Sequence, residues 1–248
     1  VAVLHVKIGN QPVMLQENPP ADIIKMYSSF SEMVRDTVLS FEGLIGSVGT
    51  GTAWGVWGAF SEDSSDALVA CRAALAMQKR LQDEELPFSL IFSLTSGDGI
   101  RAKKVTLADT AIPVAGVPVV QGEKILQAHA MYGAPIIVSG KIHNETGASF
   151  LFRRLDRIRI EGFTDAVRLY ELMGTPETAD EKTRAFLELY SRAHSLFEKQ
   201  EWKQAHKLFI EALRKKENDK TAALYARRCQ KFVKEPPSAS WDGTFSVF

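Results

Sequence analysis

Apolar positions along this chain switch between a period of two and a period of three to four, and each switch marks an element. A β-branched run over residues 1–8 predicts a strand, ended by the turn chemistry of Gly9-Asn10-Gln11-Pro12. Over residues 21–41, Ile23, Ile24, Tyr27, Phe30, Met33, Val34 and Val38 recur at helical spacing, with Pro20 tolerated at the start. Residues 43–60, GLIGSVGTGTAWGVWGAF, set two apolar runs on either side of Gly-Thr-Gly-Thr. That pattern predicts a hairpin whose turn uses glycine's access to positive φ. Both arms read as buried, with Trp54 and Trp57 inside and the flanking helices as cover.

Ser61 is expected to open a second helix, with Glu62 and Asp63 in its first turn, where the helix dipole favours acids. Ala67, Ala70, Cys71, Ala74, Met77 and Leu81 then form a narrow stripe suited to close packing on a sheet. Residues 87–95 and 100–107 predict strands around Gly97-Asp98-Gly99, and 109–114 a loop. A helix follows from Gly116 or Pro118 to Met131, stopping before Gly133, then a short strand at 135–139. Residues 150–160 and 166–172 read as closing strands around Gly162. This order is what a ferredoxin-like α+β sandwich requires, and the first domain is expected to span 1–174. Residues 175–248 hold a polar linker at 176–180, three helix-patterned segments at 183–200, 201–216 and 219–234, and a tail.

Composition narrows the class. The 248 residues are 45% hydrophobic and 24% charged with a formal net charge of zero, ordinary for a soluble globular protein and without the basic bias of a nucleic-acid or anionic-membrane surface. The basic run Arg153, Arg154, Arg157 and Arg159 is interrupted by apolar residues and reads as the solvated face of a strand. Two cysteines, Cys71 and Cys229, make no metal spacing or disulfide framework, so a reducing, cytoplasmic environment is the expectation. No apolar run approaches membrane-spanning length. The opening VAVLHVKI is already a strand, which suggests a piece of something longer.

Most local candidates for chemistry fail on context. Gly46, Gly49 and Gly51 are not followed by Gly-Lys-Ser/Thr and lead into a strand, so a phosphate loop is not supported; Ser139-Gly140-Lys141 lacks the same context. His5, His129, His143, His194 and His206 are scattered, with no pair at metal-ligand spacing. Ser47 has no neighbouring base, and Cys71 belongs to a packing stripe.

Glu42 to Phe60 resembles, without a gap, the central hairpin of class III nucleotide cyclases, G-G-x-I-D-K-F-I-G-D-A-V-M-A-V-F-G-A-P. The tail Pro236-Pro237-Ser238 to Trp241-Asp242-Gly243 resembles the P-P-x-x-W-D-G ending of many bacterial members. Lys199-Gln200-Glu201-Trp202, with Ala205 and Phe209, resembles part of a tetratricopeptide repeat, too short for a free solenoid. The resemblance implies a ferredoxin-like antiparallel sheet with helices, followed by a small all-α segment.

It also implies where catalysis would sit. The first metal-binding Asp, in the family's F-x-D-I run, corresponds to Lys7 within His5-Val6-Lys7-Ile8, and the second to Gly51; the purine-reading Lys corresponds to Ser47. The family's G-D-T-V-N-L-A-A-R-L matches Gly116 to Ile125, so the purine-reading Asp or Thr becomes Val117, the ribose-side Asn becomes Val120, and the Arg becomes Lys124. Lys7 would repel Mg²⁺ and Gly51 offers no ligand, so the expected catalytic, metal and cofactor sets are empty.

The expectation is therefore a catalytically inactive cyclase-like domain acting in signalling. It would work as a homodimer, as a heterodimer with another cyclase-type domain, or through a protein partner at the C-terminal helices. No nucleic acid is expected, and a membrane only through an unseen upstream segment. The alternative is a nucleotide or small-ligand sensor, with Lys7 and Lys124 holding an anion. A third reading is an active cyclase with a relocated metal site.

Overall fold

The structure is a computed structural model, and it describes residues 1–59, 65–101, 114–238 and 240–247. Phe60, the expected helix start at Ser61 with Glu62 and Asp63, the strand residues 102–107 and most of the loop at 109–114 lie outside them. In chain order the elements are β1 (Ala2–Ile8), α1 (Gln11–Glu17), α2 (Pro20–Ser40), β2 (Leu44–Val48), β3 (Thr52–Trp57), α3 (Asp66–Asp83) and β4 (Leu90–Ser96). Then come β5 (Ile100–Arg101), β6 (Val114–Ala115), α4 (Val117–Gln127), α5 (His129–Tyr132), β7 (Ile136–Ser139) and α6 (Gly140–Thr146). The chain closes with β8 (Leu151–Ile160), β9 (Val167–Gly174), α7 (Glu181–Glu198), α8 (Trp202–Lys215), α9 (Lys220–Lys234) and β10 (Phe245–Val247). The architecture is mixed α+β, as the pattern predicts.

The residues form two compact units, Val1–Gln127 with Pro135–Ala148, and Ala128–Ala134 with Ser149–Phe248. β8 and β9, expected in a domain ending near Gly174, group with α7 to α9.

In the first unit β1 is the central strand, antiparallel to β3 on one side and β4 on the other, with β2 outside β3. β7 lies parallel to β4, an arrangement that needs a long crossover and that α4 helps to supply. The periodic residues of the helices do the covering: Phe30, Met33, Val34 and Val38 of α2, and Ala67, Ala70, Cys71, Ala74 and Met77 of α3, are buried. The expectation of two buried hairpin arms holds only for part of β3, where Ala53, Val56 and Trp57 are buried but Trp54 is half-exposed. Within this unit β2 has a neighbour on one edge, so Leu44, Ile45 and Val48 stay half-exposed. Sequence reading also missed two short helices. Gln11–Glu17 follows directly on Gly9-Asn10 because Pro12 fits a helix's first turn, and Gly140–Thr146 begins at Ser139, whose hydroxyl accepts from the Ile142 amide.

In the second unit β8 pairs antiparallel with β9 and parallel with β10, so the tail forms a strand. α7, α8 and α9 enclose an aromatic cluster that includes Phe186, Tyr190, Phe197, Trp202, Phe209 and Tyr225. Asp180 and Asp219 cap α7 and α9, each accepting an amide hydrogen bond in the first turn. Arg153 corrects the reading of the basic run as a solvated face: it is only 2% exposed. It is held there by ion pairs to Glu171 and Asp219, the condition under which a charge can be buried. Among the described residues no helix is long and apolar enough to cross a membrane.

Candidate functional site

A cavity of about 330 Å³ opens in the first unit, between the start of the sheet and α4. β1 contributes His5 and Lys7, the hairpin contributes Ser47 and Trp54, and α4 contributes Val119 and Glu123. Both faces of β1 are covered along most of its length, and Lys7 alone on the strand is exposed. Ser47 reaches the cavity through an irregularity. The β2–β3 register shifts between Ile45 and Ser47, leaving Gly46 as the extra residue, and bulges of this kind re-aim the side chain that follows. Gly46 is required there, since a Cβ would fall 2.2 Å from the Trp54 ring.

α4 is held to the sheet by hydroxyl groups. Buried Ser93 and Thr95 of β4 donate to the carbonyls of Gly122 and Pro118, at 2.6 and 2.7 Å. The approach is so close that a Cβ on Gly122 would lie 2.5 Å from His5 Nδ1 and 3.2 Å from Thr95 Oγ1. Substituting Gly122→Ala should therefore cost about 1–3 kcal/mol through overpacking, despite alanine's better helix propensity, as read from the shift in thermal or urea midpoint. An unchanged or raised midpoint would count against this packing.

His5 is buried and stacked on Trp54 with ring centroids 6.0 Å apart. Burial pushes its imidazole down to about 4, so the ring is neutral near pH 7, and Nδ1 has no hydrogen-bond partner among the described residues. It is a core histidine at the cavity wall.

The structure separates the residues that the resemblance groups together. Lys7 and Ser47 line the cavity. Gly51 sits at the hairpin turn with φ of +78°, its carbonyl accepting from the Ile8 amide. Gln11 braces that turn, donating to the Thr50 carbonyl and the Tyr27 hydroxyl, and a Cβ at Gly51 would lie only 3.0 Å from Gln11 Nε2. Val117, Val120 and Lys124 occupy one helical face at i, i+3 and i+7, while the cavity takes Val119, Glu123 and Leu126 from the adjacent face. Val117 and Val120 are 61% and 51% exposed. Lys7 and Lys124 therefore do not share the cavity wall. Sequence reasoning missed Gln11 and Glu123; helical counting from Gly116 places Glu123 one position from the Lys124 face, but which face meets the sheet depends on Gly122.

Among the described residues no group of three or more His, Cys, Asp or Glu side chains is arranged to hold a metal ion. Cys71 and Cys229 are buried free thiols, both pushed up by burial, Cys229 to about 12, which suits packing and not nucleophilic chemistry.

The chain superposes on the adenylyl cyclase CyaB from P. aeruginosa with a TM-score of 0.62, covering 72% of this chain and 96% of that one at 13% identity. The fold is that of an adenylyl or guanylyl cyclase domain. A dimeric guanylyl cyclase domain from the aquatic fungus Blastocladiella emersonii gives a TM-score of 0.58 at 15% identity, over 70% of this chain and 95% of that one. By sequence, the cyclase-like chain is 23% identical over 185 residues to adenylate cyclase 1 of Rhizobium meliloti (strain 1021), a match covering 70% of this chain. It spans only 27% of that protein's length. No protein-family model matches the sequence.

Proposed function

We propose that this chain carries a catalytically inactive cyclase-like domain, residues 1–174, that acts in signal transduction by pairing with a second copy or with another cyclase-type domain. The charge set of the cavity carries the reading. Lys7 stands where the resemblance expects the first metal-binding carboxylate, Gly51 where it expects the second, and among the described residues Glu123 is the one acid lining the cavity. That donor set does not fit two divalent cations, which need several oxygen ligands.

Pairing draws support from α4. Val117 and Val120 stand apolar and exposed at positions where the resemblance expects polar nucleotide contacts, and exposed apolar side chains clustered on one face are what an interface buries. A dimeric relative with this fold makes the arrangement feasible.

The test is turnover by the pure protein with ATP or GTP and either Mg²⁺ or Mn²⁺. Each missing transition-state contact removes roughly 3 kcal/mol, about a hundredfold or more in rate, so no cyclic nucleotide above background is expected. Metal-dependent product formation would overturn the reading. In the same preparation, V117D/V120D should lower the mass seen by light scattering if that face pairs.

A sensor reading has one observation in its favour, namely that a cavity persists with an exposed ammonium, Lys7, at its wall. Metal-free titration with ATP and GTP separates the two readings. Saturable binding lost in Lys7→Ala would favour the sensor.

A further inference from the structure

The second unit contains a cavity of about 250 Å³ that the cyclase likeness does not account for. It lies beside β8 and β9, walled by His194, Phe197 and Glu198 of α7, Tyr225 of α9 and the Trp241-Asp242-Gly243 tail. Three arginines line it, Arg154 and Arg157 from β8 and Arg168 from β9. Arg157 and Arg168 are direct cross-strand partners. Like charges opposite one another destabilise a strand pair, so this placement has a cost that an anion between them would remove.

Pairing the charges around the cavity leaves one positive charge over. Arg154 pairs with Glu198, Arg157 with Asp242 at 3.2 Å, and Asp156 with Arg228 at 2.8 Å. Among the described residues Arg168 has no acidic partner, so the site as built is short by a single negative charge. The remaining wall is aromatic, with Phe197, Tyr225 and Trp241 facing it. The polar groups beneath are fixed. Asp156 accepts from the Tyr132 and Tyr225 hydroxyls at 2.7 and 3.2 Å as well as from Arg228, which pins Tyr225 in place.

We propose that this cavity binds a small aromatic monocarboxylate, its carboxylate between Arg157 and Arg168 and its ring against Tyr225 and Trp241. A planar guanidinium matches a carboxylate in two parallel hydrogen bonds, and a second guanidinium opposite supplies the compensation that Asp242 gives to Arg157 alone. The volume lies just below the usual range of about 300–1,000 Å³ for ligand pockets, so the ligand is fragment-sized. Because the tail supplies Trp241 and Asp242, occupancy is coupled to the position of the Trp-Asp-Gly segment.

Isothermal titration of the full chain with phenylacetate tests this, with phenylacetamide and inorganic phosphate as comparison probes and tryptophan fluorescence as a second readout. Saturable phenylacetate binding is expected, weaker by about tenfold or more for neutral phenylacetamide and for phosphate, since 1.4 kcal/mol of lost charge pairing or ring contact is a factor of ten. Arg168→Gln, an exposed position, should weaken phenylacetate by the same factor, and Trp241→Leu should weaken it and abolish the fluorescence change. Absence of saturable binding, or equal binding by Arg168→Gln, would overturn the assignment. Phosphate binding as tightly as phenylacetate would overturn the aromatic class of ligand.

Discussion

Replacing Arg153 by Met should destabilise the second unit by about 3–5 kcal/mol, the range for removing one partner of a buried ion pair. The guanidinium donates to Glu171 Oε2 and to both oxygens of Asp219, each at 2.7 Å, and lies over the rings of Tyr190 and Phe186 at 5.0 and 5.3 Å. Glu171 and Asp219 are themselves buried, so Met would leave Glu171 without its cation and Asp219 with Lys216 as its remaining ion pair. Asp219 is also the cap of α9, accepting from the Ala222 amide. Burial alone would raise its carboxyl, but the charge and hydrogen bonds of Arg153, with the Ala222 amide and Lys216, hold it below the ordinary carboxylate range. The loss would therefore spread from β8 to β9 and to the start of α9.

The control is Arg154→Met, one residue along and half-exposed, whose pair with Glu198 should contribute no more than about 1 kcal/mol. Urea unfolding followed by tryptophan fluorescence separates the two variants, since Trp202 and Trp241 both belong to this unit. An Arg153→Met midpoint close to that of Arg154→Met would show that the buried triad contributes nothing beyond a surface pair.

Arg153 also marks a limit of what sequence can reveal. Its neighbours Arg154, Arg157 and Arg159 do lie at least partly exposed; adjacent Arg153 and Arg154 face opposite ways on a strand, but nothing local tells which of the two is buried. The distinguishing partners, Glu171 and Asp219, are 18 and 66 residues away in sequence. Elements with strong periodicity were legible within a few residues, α2, α3 and α7 to α9 among them, because one apolar face decides both their type and their burial. The short helices α1 and α6 were not legible, since a turn or two of helix carries too few apolar positions to show a period. The strand in the tail was equally hidden, because three residues that pair with a distant strand have no local signature.

At the candidate site the legible part was chemical and the illegible part geometric. Lys7 and Ser47 could be named from the resemblance, and both line the cavity. That Val117, Val120 and Lys124 turn to a different face depends on the rotation of α4, which is set by Gly122 against His5 and by two hydroxyls of β4. No run of residues within α4 records that rotation.

Acid should weaken the second unit well above the pH at which its carboxylates titrate. His194 is enclosed by Tyr190, Phe197 and Tyr225, with Nε2 at 3.2 Å from the Tyr225 hydroxyl. Burial pushes its imidazole down to about 3, and the charges of Arg154 and Arg228 push in the same direction. The folded chain thus keeps this ring neutral where the unfolded chain, with an ordinary value near 6.5, takes up a proton. Unfolding then binds protons, and stability falls as the pH drops below about 6.5 and continues to fall toward 3, by up to 1.4 kcal/mol per pH unit. Asp219 acts with the same sign but only below its ordinary unfolded value near 3.8, so it adds nothing between pH 7 and 5. Over that interval the histidine alone should cost about 2 kcal/mol, read as a shift in urea midpoint. His194→Phe keeps the aromatic packing and removes the titrating group, and Tyr225 retains its hydrogen bond to Asp156. That variant should lose the His194 part of the slope. If it kept the wild-type dependence between pH 7 and 5, the proton taken up on unfolding would have to come from another group, and the buried neutral histidine would not be the source of acid sensitivity.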